Sequence, residues 1–288
     1  MEIIQLPGYT QEEKREIALR YLLGRQFEQN GLKAGQLELG EAALLAIIRD
    51  YTREAGVRSL ERTIGAVCRR AAVTIAEGGV TQVKVDESDL AGILGATKYE
   101  NEVALRAGLS GVATGLAWTP VGGDILFIEA SRMTGDGKLI LTGQLGDVMK
   151  ESAQAALTLV KTRAESLGIE VGIFAKSDVH IHIPAGAIPK DGPSAGVAIF
   201  IALASLFAER VVRSDTAMTG EISLRGLVLP VGGIKDKVLA ARRAGIQRVM
   251  LPARNRRDLE EVPQEAKDKL EFIFIDNVDA AVLNAMTS

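Results

Sequence analysis

The sequence of 288 residues lacks what several kinds of site require. Its single cysteine, Cys68, cannot form an internal disulfide, so the sequence predicts a reducing compartment. Only two histidines occur, His180 and His182, and without carboxylates they could not complete a zinc site, so no bound metal is expected. No phosphate loop of the form Gly-x4-Gly-Lys-Ser/Thr is present, and no Gly-x-Gly-x-x-Gly turn follows a predicted strand. The sequence therefore does not predict nucleotide hydrolysis by this chain alone.

Charge of one sign, aromatic residues and long apolar runs are also scarce. The net charge is only -3 and aromatic residues make up 4%, so bulk charge indicates neither a nucleic-acid binder nor a membrane-surface protein. The longest apolar run, residues 196–208, has about 13 residues and is too short to cross a bilayer. The first residues lack a basic segment followed by an apolar one, so no signal peptide is predicted. These absences predict a cytoplasmic protein without a membrane partner.

Hydrophobic periodicity divides the chain into two parts, with a boundary in the weakly patterned segment 95–108. Before it, apolar residues recur at helical spacing, and only residues 83–85 resemble a strand. After it, alternating strands mix with helices, and the turn at 135–138 predicts that the strand at 139–142 forms a hairpin with the strand before it. The predicted class is α+β: a small all-helical subdomain, 1–95, followed by a mixed α/β domain, 96–288.

A serine stands at the start of a predicted buried helix. The segment reads Pro-Lys-Asp-Gly-Pro-Ser-Ala-Gly, and its serine is Ser194. Amides at a helix N-terminus carry partial positive charge and can bind the oxyanion of an acyl-transfer reaction. Gly192 and Gly196 would let a substrate backbone approach closely. Serine is also a frequent helix N-cap, so a nucleophile and a cap remain alternative interpretations at this point.

A serine nucleophile needs a base, and the helix predicted from about residue 234 carries two lysines. Lys237 shares the apolar face of that helix with Ile234 and Ala241, whereas Lys235 lies nearer the polar side. A lysine among apolar side chains is desolvated, which lowers the pKa of its amine from about 10.4 and suits it to act as a base. A lysine that extends its ammonium to water remains the alternative interpretation.

Three segments of the chain together resemble the Lon proteases. They are Pro-Lys-Asp-Gly-Pro-Ser-Ala-Gly at 189–196, Met-Thr-Gly-Glu-Ile-Ser-Leu-Arg-Gly at 218–226, and Leu-Pro-Val-Gly-Gly-Ile-Lys-Asp-Lys at 229–237. The resemblance covers essentially the whole chain. Residues 100–288 resemble the peptidase domain of that family, and residues 1–90 resemble the small helical subdomain of its AAA+ ATPase module.

The resemblance implies a serine endopeptidase with a Ser-Lys dyad. The motif positions correspond to Ser194 and Lys237, not to Lys235, and the 43 residues between serine and lysine agree with the family pattern. A threonine at the position of Thr219 is expected to hydrogen-bond the lysine and orient it. A threonine at the end of a strand, without a role in the chemistry, is the alternative interpretation.

Cofactors and partners are likewise implied by the resemblance. Arg58, in Gly-Val-Arg-Ser-Leu-Glu-Arg at 56–62, resembles the second sensor arginine that reaches nucleotide phosphates in such ATPases. ATP and Mg belong to the full-length protein, because the phosphate-loop subdomain is missing here, and no cofactor is predicted for this chain. The implied substrates are unfolded or damaged polypeptides, and the implied assembly is a homohexameric ring.

Two further functions stay open on the sequence. The same fold could serve as an inactive binding or assembly module in which Ser194 only caps its helix. A DNA-tethered regulator is the other alternative, because arginines cluster late in the chain, although acidic residues interleave with them as on a solvated surface. The arginines are Arg242, Arg243, Arg254, Arg256 and Arg257.

Overall fold

Buried apolar residues form three clusters, one in the first part of the chain and two in the second. The computed structural model describes residues 8–52, 54, 56–99, 108–119, 122–184 and 190–287. The chain divides into two units, residues 1–101 and 102–288. Most of the predicted boundary segment, 95–108, lies outside the described residues.

The first unit consists mainly of helices. Its α-helices are α1 (Gln11–Ile17), α2 (Leu23–Gln29), α3 (Glu41–Ala46), α4 (Arg58–Ala76) and α5 (Leu90–Leu94). A π-helical segment, Ala18–Leu22, joins α1 to α2, and a second one, Ile47–Tyr51, follows α3. A 3-10 turn, Glu87–Asp89, precedes α5.

Local sequence signals account for where these helices begin and what they bury. The hydroxyl of Thr10 accepts from the amide of Glu13, whose carboxylate accepts from the amide of Thr10, so two of the amides at the start of α1 are satisfied. On α4, Leu60 and Ile64 are fully buried on one stripe of the helix. The predicted helical character is confirmed, but strand β1 (Leu37–Leu39) was not predicted; it pairs in parallel with β2 (Val83–Val85).

The second unit is built on a seven-stranded sheet. Its strands and those of a small hairpin are β3 (Val112–Thr119), β4 (Gly122–Thr134), β5 (Leu139–Thr142), β6 (Ser177–His182), β7 (Thr216–Met218), β8 (Glu221–Ile222), β9 (Val228–Leu229), β10 (Arg248–Pro252) and β11 (Glu271–Ile275). The strand order is β11-β10-β7-β3-β4-β6-β5. Pairs β3–β4 and β4–β6 are antiparallel and the other neighbours are parallel, so the sheet is mixed. The predicted α+β class is therefore confirmed.

The predicted hairpin between β4 and β5 is wrong. Strand β6 lies between them, antiparallel to β4 and parallel to β5. The carboxylate of Asp178, on β6, accepts hydrogen bonds from the amides of Asp136 and Lys138 in the turn, both at 2.8 Å. A Cβ on Gly135 would come within 2.1 Å of that carboxyl group, so glycine lets the turn cross directly over β6.

Helices cover both faces of the sheet. They are α6 (Asp147–Thr162), α7 (Gly196–Ala208), α8 (Ile234–Arg243), α9 (Gln264–Lys267) and α10 (Val278–Ala285), and none of the helices in the described ranges is long and apolar enough to span a membrane. Residues of α6 and α7 pack with Ile128 of β4. Residues of α8 pack with Leu116 of β3, whose side chain points to the opposite face.

Candidate active site

Ser194 lies in a short 3-10 turn, Pro193–Ala195, that leads directly into α7. No side chain caps α7, so the interpretation of Ser194 as its N-cap is not supported. Within the described ranges, no hydrogen bond of the Ser194 hydroxyl to another residue is found, and its side chain is half-buried. The hydroxyl is therefore positioned at the start of a helix and is free of a structural role there.

Lys237 is buried in the first turn of α8. Its side chain is 1% exposed, and Ile234, Val238 and Ala241 of the same helix are also buried, as the helical spacing predicts. Burial lowers the pKa of the Lys237 amine to about 8, because the charged form loses its hydration. Lys235 is only half-buried. The structure thus separates the two lysines in the way the apolar face of the helix predicted.

The hydroxyl of Thr219 connects the lysine to the serine turn. Lys237 Nζ donates to Thr219 Oγ1 at 3.1 Å, and Thr219 Oγ1 donates to the carbonyl oxygen of Ser194 at 3.1 Å. A threonine hydroxyl has one proton, which goes to the Ser194 carbonyl, so this oxygen can only accept from the lysine. Ser194, Thr219 and Lys237 therefore meet at one place, although the serine hydroxyl itself makes no hydrogen bond to the amine within the described ranges.

Backbone contacts fix Thr219 on both sides. Its amide donates to the carbonyl oxygen of Met250 on β10 at 3.1 Å, which continues the pairing of β7 with β10. The next amide, that of Gly220, donates to the carbonyl oxygen of Ser194 at 2.9 Å. Thr219 is fully buried, so its hydroxyl is held between the two residues it contacts and has little freedom to turn away.

The carboxylate of Asp191 holds the loop before the serine. Asp191 Oδ1 accepts from the amide of Gly192 at 2.8 Å and from the amide of Met149 at 3.0 Å. The second of these amides belongs to the first turn of α6, whose free N–H groups favour a negative charge. Asp191 therefore joins the N-terminus of α6 to the segment that carries Ser194, and it occupies the Gly192 amide in doing so.

Sequence reasoning missed Asn255, which is 3% exposed and contacts the loop before α8. Its side-chain oxygen accepts from the amide of Val231 at 3.0 Å, and its side-chain nitrogen donates to the carbonyl oxygen of Val231 at 2.9 Å. Its only signal in the sequence is a polar residue shortly after a strand, in a segment otherwise dominated by charged side chains.

The remaining predicted residues belong to other elements of the chain. Arg58 is the first residue of α4 in the first unit, where its side chain is exposed. His180 Nε2 and His182 Nδ1 are 2.8 and 2.7 Å from the hydroxyl oxygen of Thr142, and the described residues contain no group of three or more His, Cys, Asp or Glu side chains suited to a metal ion.

Four of the five clustered arginines, Arg242, Arg243, Arg256 and Arg257, have partners within the chain. Arg243 donates to the carbonyl oxygen of Gly123, and Arg257 lies 3.6 Å from the carboxylate of Asp258. The guanidinium of Arg256 stands 3.8 Å from the centre of the Phe274 ring. These contacts are made with groups of the same chain and give no support to a surface specialised for DNA.

Comparison with known proteins finds two matching family models. Residues 84–288 match the model described as Lon protease (S16) C-terminal proteolytic domain. Residues 28–84 match the model described as Lon protease AAA+ ATPase lid domain. The two matches meet at one residue and together extend from residue 28 to the end of the chain.

Individual relatives are similar over nearly the whole chain. The Lon protease of Methylocella silvestris is 64% identical over 285 residues, which cover 99% of this chain and 35% of that protein. The Lon protease of Paraburkholderia phytofirmans is 63% identical over 282 residues, covering 98% and 35% respectively. The Lon protease of Phenylobacterium zucineum is 62% identical over 282 residues, covering 98% and 36%. The chain thus spans about a third of the length of the curated relatives it matches.

Proposed function

Since this chain belongs to the Lon protease family, we propose that it carries a serine endopeptidase site in which Ser194 is the nucleophile and Lys237 is the general base. Thr219 is the residue that orients the lysine. The observation that carries this assignment is the hydrogen bond from the buried Lys237 amine to the Thr219 hydroxyl, which in turn binds the carbonyl of Ser194. That arrangement brings a desolvated amine to the turn that holds the nucleophile.

The first half of the reaction forms an ester on the serine. Neutral Lys237 takes the proton of the Ser194 hydroxyl as Oγ attacks the carbonyl carbon of the peptide bond. The negative charge moves to the carbonyl oxygen, where amides of the turn that leads into α7 stabilise it. The lysine ammonium then gives its proton to the leaving nitrogen, the C–N bond breaks, and an acyl-serine remains.

The second half of the reaction releases the acid and restores the enzyme. A water molecule gives a proton to neutral Lys237 and attacks the ester carbon. When the tetrahedral intermediate collapses, the C–Oγ bond breaks and the ammonium returns its proton to the serine oxygen. Lys237 thus gains and loses a proton twice in each cycle, which requires a pKa close to the working pH, and burial supplies the lowered value of about 8.

A rearrangement at the serine turn is part of this proposal. The Ser194 hydroxyl must rotate toward the amine, because within the described ranges the two make no hydrogen bond. The Gly192 amide, which donates to Asp191, must be released if it is to bind the oxyanion. Apo active sites often show such long catalytic contacts, which shorten when substrate binds.

Substrates, assembly and location are proposed at the level of the whole protein. Unfolded or damaged polypeptides are the substrates, delivered by an ATP-dependent motor in a homohexameric ring in the cytoplasm. Arg58 fits a nucleotide contact, since it is exposed and forms no ion pair with another described residue. One arginine does not make a nucleotide site, however, and the sequence has no phosphate loop, so ATP and Mg are assigned to the remainder of the full-length protein.

The test is hydrolysis of an unstructured fluorogenic peptide by the wild type, Ser194→Ala, Lys237→Met and Lys235→Met. Cleavage by the wild type and by Lys235→Met, with loss of activity in the other two variants, is the expected result. Full activity of Lys237→Met would exclude the lysine as the base. A wild type that binds the peptide without cleaving it would favour a binding or assembly module instead.

A further inference from the structure

The loop before α8 is held by a buried side chain that touches none of the proposed reacting groups. Asn255 lies in the 3-10 segment Ala253–Glu261, which follows β10. Its carboxamide both accepts from and donates to the peptide groups of Val231, at 3.0 and 2.9 Å. The nitrogen also donates to the carboxylate of Asp258, so both of its protons are used. The Asn255 side chain thus pairs with Val231 as a neighbouring strand would.

Val231, the residue that Asn255 binds, lies shortly before the helix that carries Lys237. Gly232 and Gly233 separate Val231 from Ile234, the first residue of α8. Two consecutive glycines give a backbone wide conformational freedom, so the loop would not by itself define where the helix begins. The contact with Asn255 fixes the backbone of the residue just before the glycines. The first turn of α8, including Lys237, is therefore positioned from its N-terminal side by this contact.

One segment of the chain makes hydrogen bonds that hold both Thr219 and the loop that leads to Lys237. The carbonyl of Met250, on β10, accepts from the amide of Thr219 at 3.1 Å. A few residues further on, Asn255 holds the loop that leads to Lys237. The 3.1 Å contact between Lys237 Nζ and Thr219 Oγ1 therefore depends on two attachments to the segment 248–258.

We propose that Asn255 is a positioning residue of the peptidase site: by pairing with Val231 it sets the start of α8 and so keeps the Lys237 amine against Thr219. The assignment rests on the proposed function, in which Lys237 is the base. Asn255 takes no part in the proton transfers. Its loss would let the start of α8 shift, admit water to the amine, and break the contact with Thr219.

The decisive variant is Asn255→Leu, which keeps the approximate shape of the side chain without its hydrogen bonds or any new charge. The primary measurement is an NMR titration of the Cε of lysine in the labelled 288-residue chain, which reports the pKa of Lys237 whether or not the chain is active. We expect the pKa to rise from about 8 toward its ordinary value, because a loosened helix rehydrates the amine. On peptide substrate, we expect kcat to fall roughly 10- to 100-fold with KM little changed.

Val262→Ala provides the matched control. Val262 is 2% exposed, packs in the same apolar cluster as α8 and directly follows the same 3-10 segment, so its truncation weakens the core without removing the hydrogen bonds between Asn255 and Val231. In this variant the Lys237 pKa and kcat should stay at the wild-type values. If Asn255→Leu does not fold, Asn255→Ala replaces it, since the smaller side chain leaves room for a water at Val231.

The outcomes separate this proposal from the proposed function. A Lys237 pKa that stays near 8 in the folded Asn255 variant overturns the positioning role. A kcat that stays at the wild-type value although the pKa has risen would instead contradict the role of Lys237 as the base. An equal change in Val262→Ala also overturns it, because the effect would then be a general loss of packing. If Lys237→Met remains active, the base assignment fails by itself, and the NMR titration still decides whether Asn255 positions the amine.

Discussion

Lys237 Nζ donates a hydrogen bond of 3.1 Å to the hydroxyl oxygen of Thr219. Because the single proton of that hydroxyl is given to the carbonyl of Ser194, the threonine cannot also donate to the lysine. A neutral Lys237 amine would then donate one N–H to Thr219, and its lone pair would remain available to accept another proton. The contact therefore suits a lysine that acts as a base.

Replacing Thr219 with valine removes the hydroxyl while it keeps the shape of the side chain. We expect kcat for peptide hydrolysis to fall roughly 10- to 100-fold, because the amine loses the contact that orients it. The pKa of Lys237 should fall further below about 8, since the ammonium loses a hydrogen-bond acceptor in a buried site. Thr219→Ser, which retains the hydroxyl, is the control and should keep most of the activity. A valine variant with the wild-type rate and pH profile would contradict the orienting role.

The pH dependence of hydrolysis should follow the protonation of Lys237. The base is neutral above its pKa, so kcat/KM is expected to rise with pH and level off above an apparent pKa of about 8. The measurement is a profile between about pH 6 and pH 10 for the wild type and Lys235→Met, which should coincide. A midpoint close to about 6.5 would indicate a histidine instead, and His180 and His182 would then have to be replaced in turn.

Helical periodicity placed Lys237 on the apolar face, because the phase of a helix is a local property, but it did not decide whether the amine is buried or extends to water. Ile234 and Ala241 fix the apolar face of α8, and Lys237 lies on it and is 1% exposed. The strong turn at 135–138 was equally clear, yet the pairing inferred from it was wrong. A turn signal shows that the chain reverses, but β6, which comes much later in the sequence, takes the place beside β4.

The contacts of Asn255 and Asp191 near the site could not be predicted from the sequence for the same reason, because their partners are distant along the chain. Asn255 pairs with Val231, 24 residues earlier, and Asp191 binds the amide of Met149, 42 residues earlier. Each is a polar residue in a loop, and its residue type alone does not indicate which distant backbone group it satisfies. The side chains proposed for the chemistry lie in recognisable motifs, whereas those that position them depend on the tertiary fold.

Asp191 is predicted to stabilise the fold through the N-terminus of α6. In Asp191→Ala the amides of Met149 and Gly192 lose a charged acceptor, and the loss of such a cap typically costs about 0.5–2 kcal/mol. Chemical denaturation near neutral pH measures this loss. Asp147→Ala is the comparison: Asp147 is in the first turn of the same helix but its side chain is 93% exposed, so its removal should cost less. Equal stability of Asp191→Ala and the wild type would show that the bond to α6 contributes nothing.

The buried amine of Lys237 should make the fold less stable at neutral pH than a neutral side chain would. Its pKa is about 8 in the folded chain and about 10.4 in the unfolded chain, a difference worth about 3 kcal/mol. Below the folded pKa the ammonium is buried with its charge, so the full cost is present. As the pH rises from about 8 to about 10.4, the unfolded state binds more protons than the folded state, and the cost disappears.

Lys237→Met is therefore expected to be more stable than the wild type by up to about 3 kcal/mol near pH 7, because methionine fills a similar volume without a charge. The advantage should shrink with rising pH and be lost above about pH 10, where the wild-type amine is neutral in both states. Urea denaturation at the two pH values measures it, with Lys235→Met as the half-buried control that should differ little from the wild type. A Lys237→Met variant that is less stable than the wild type near pH 7 would mean that the charged amine contributes more through its hydrogen bond to Thr219 than it loses by burial.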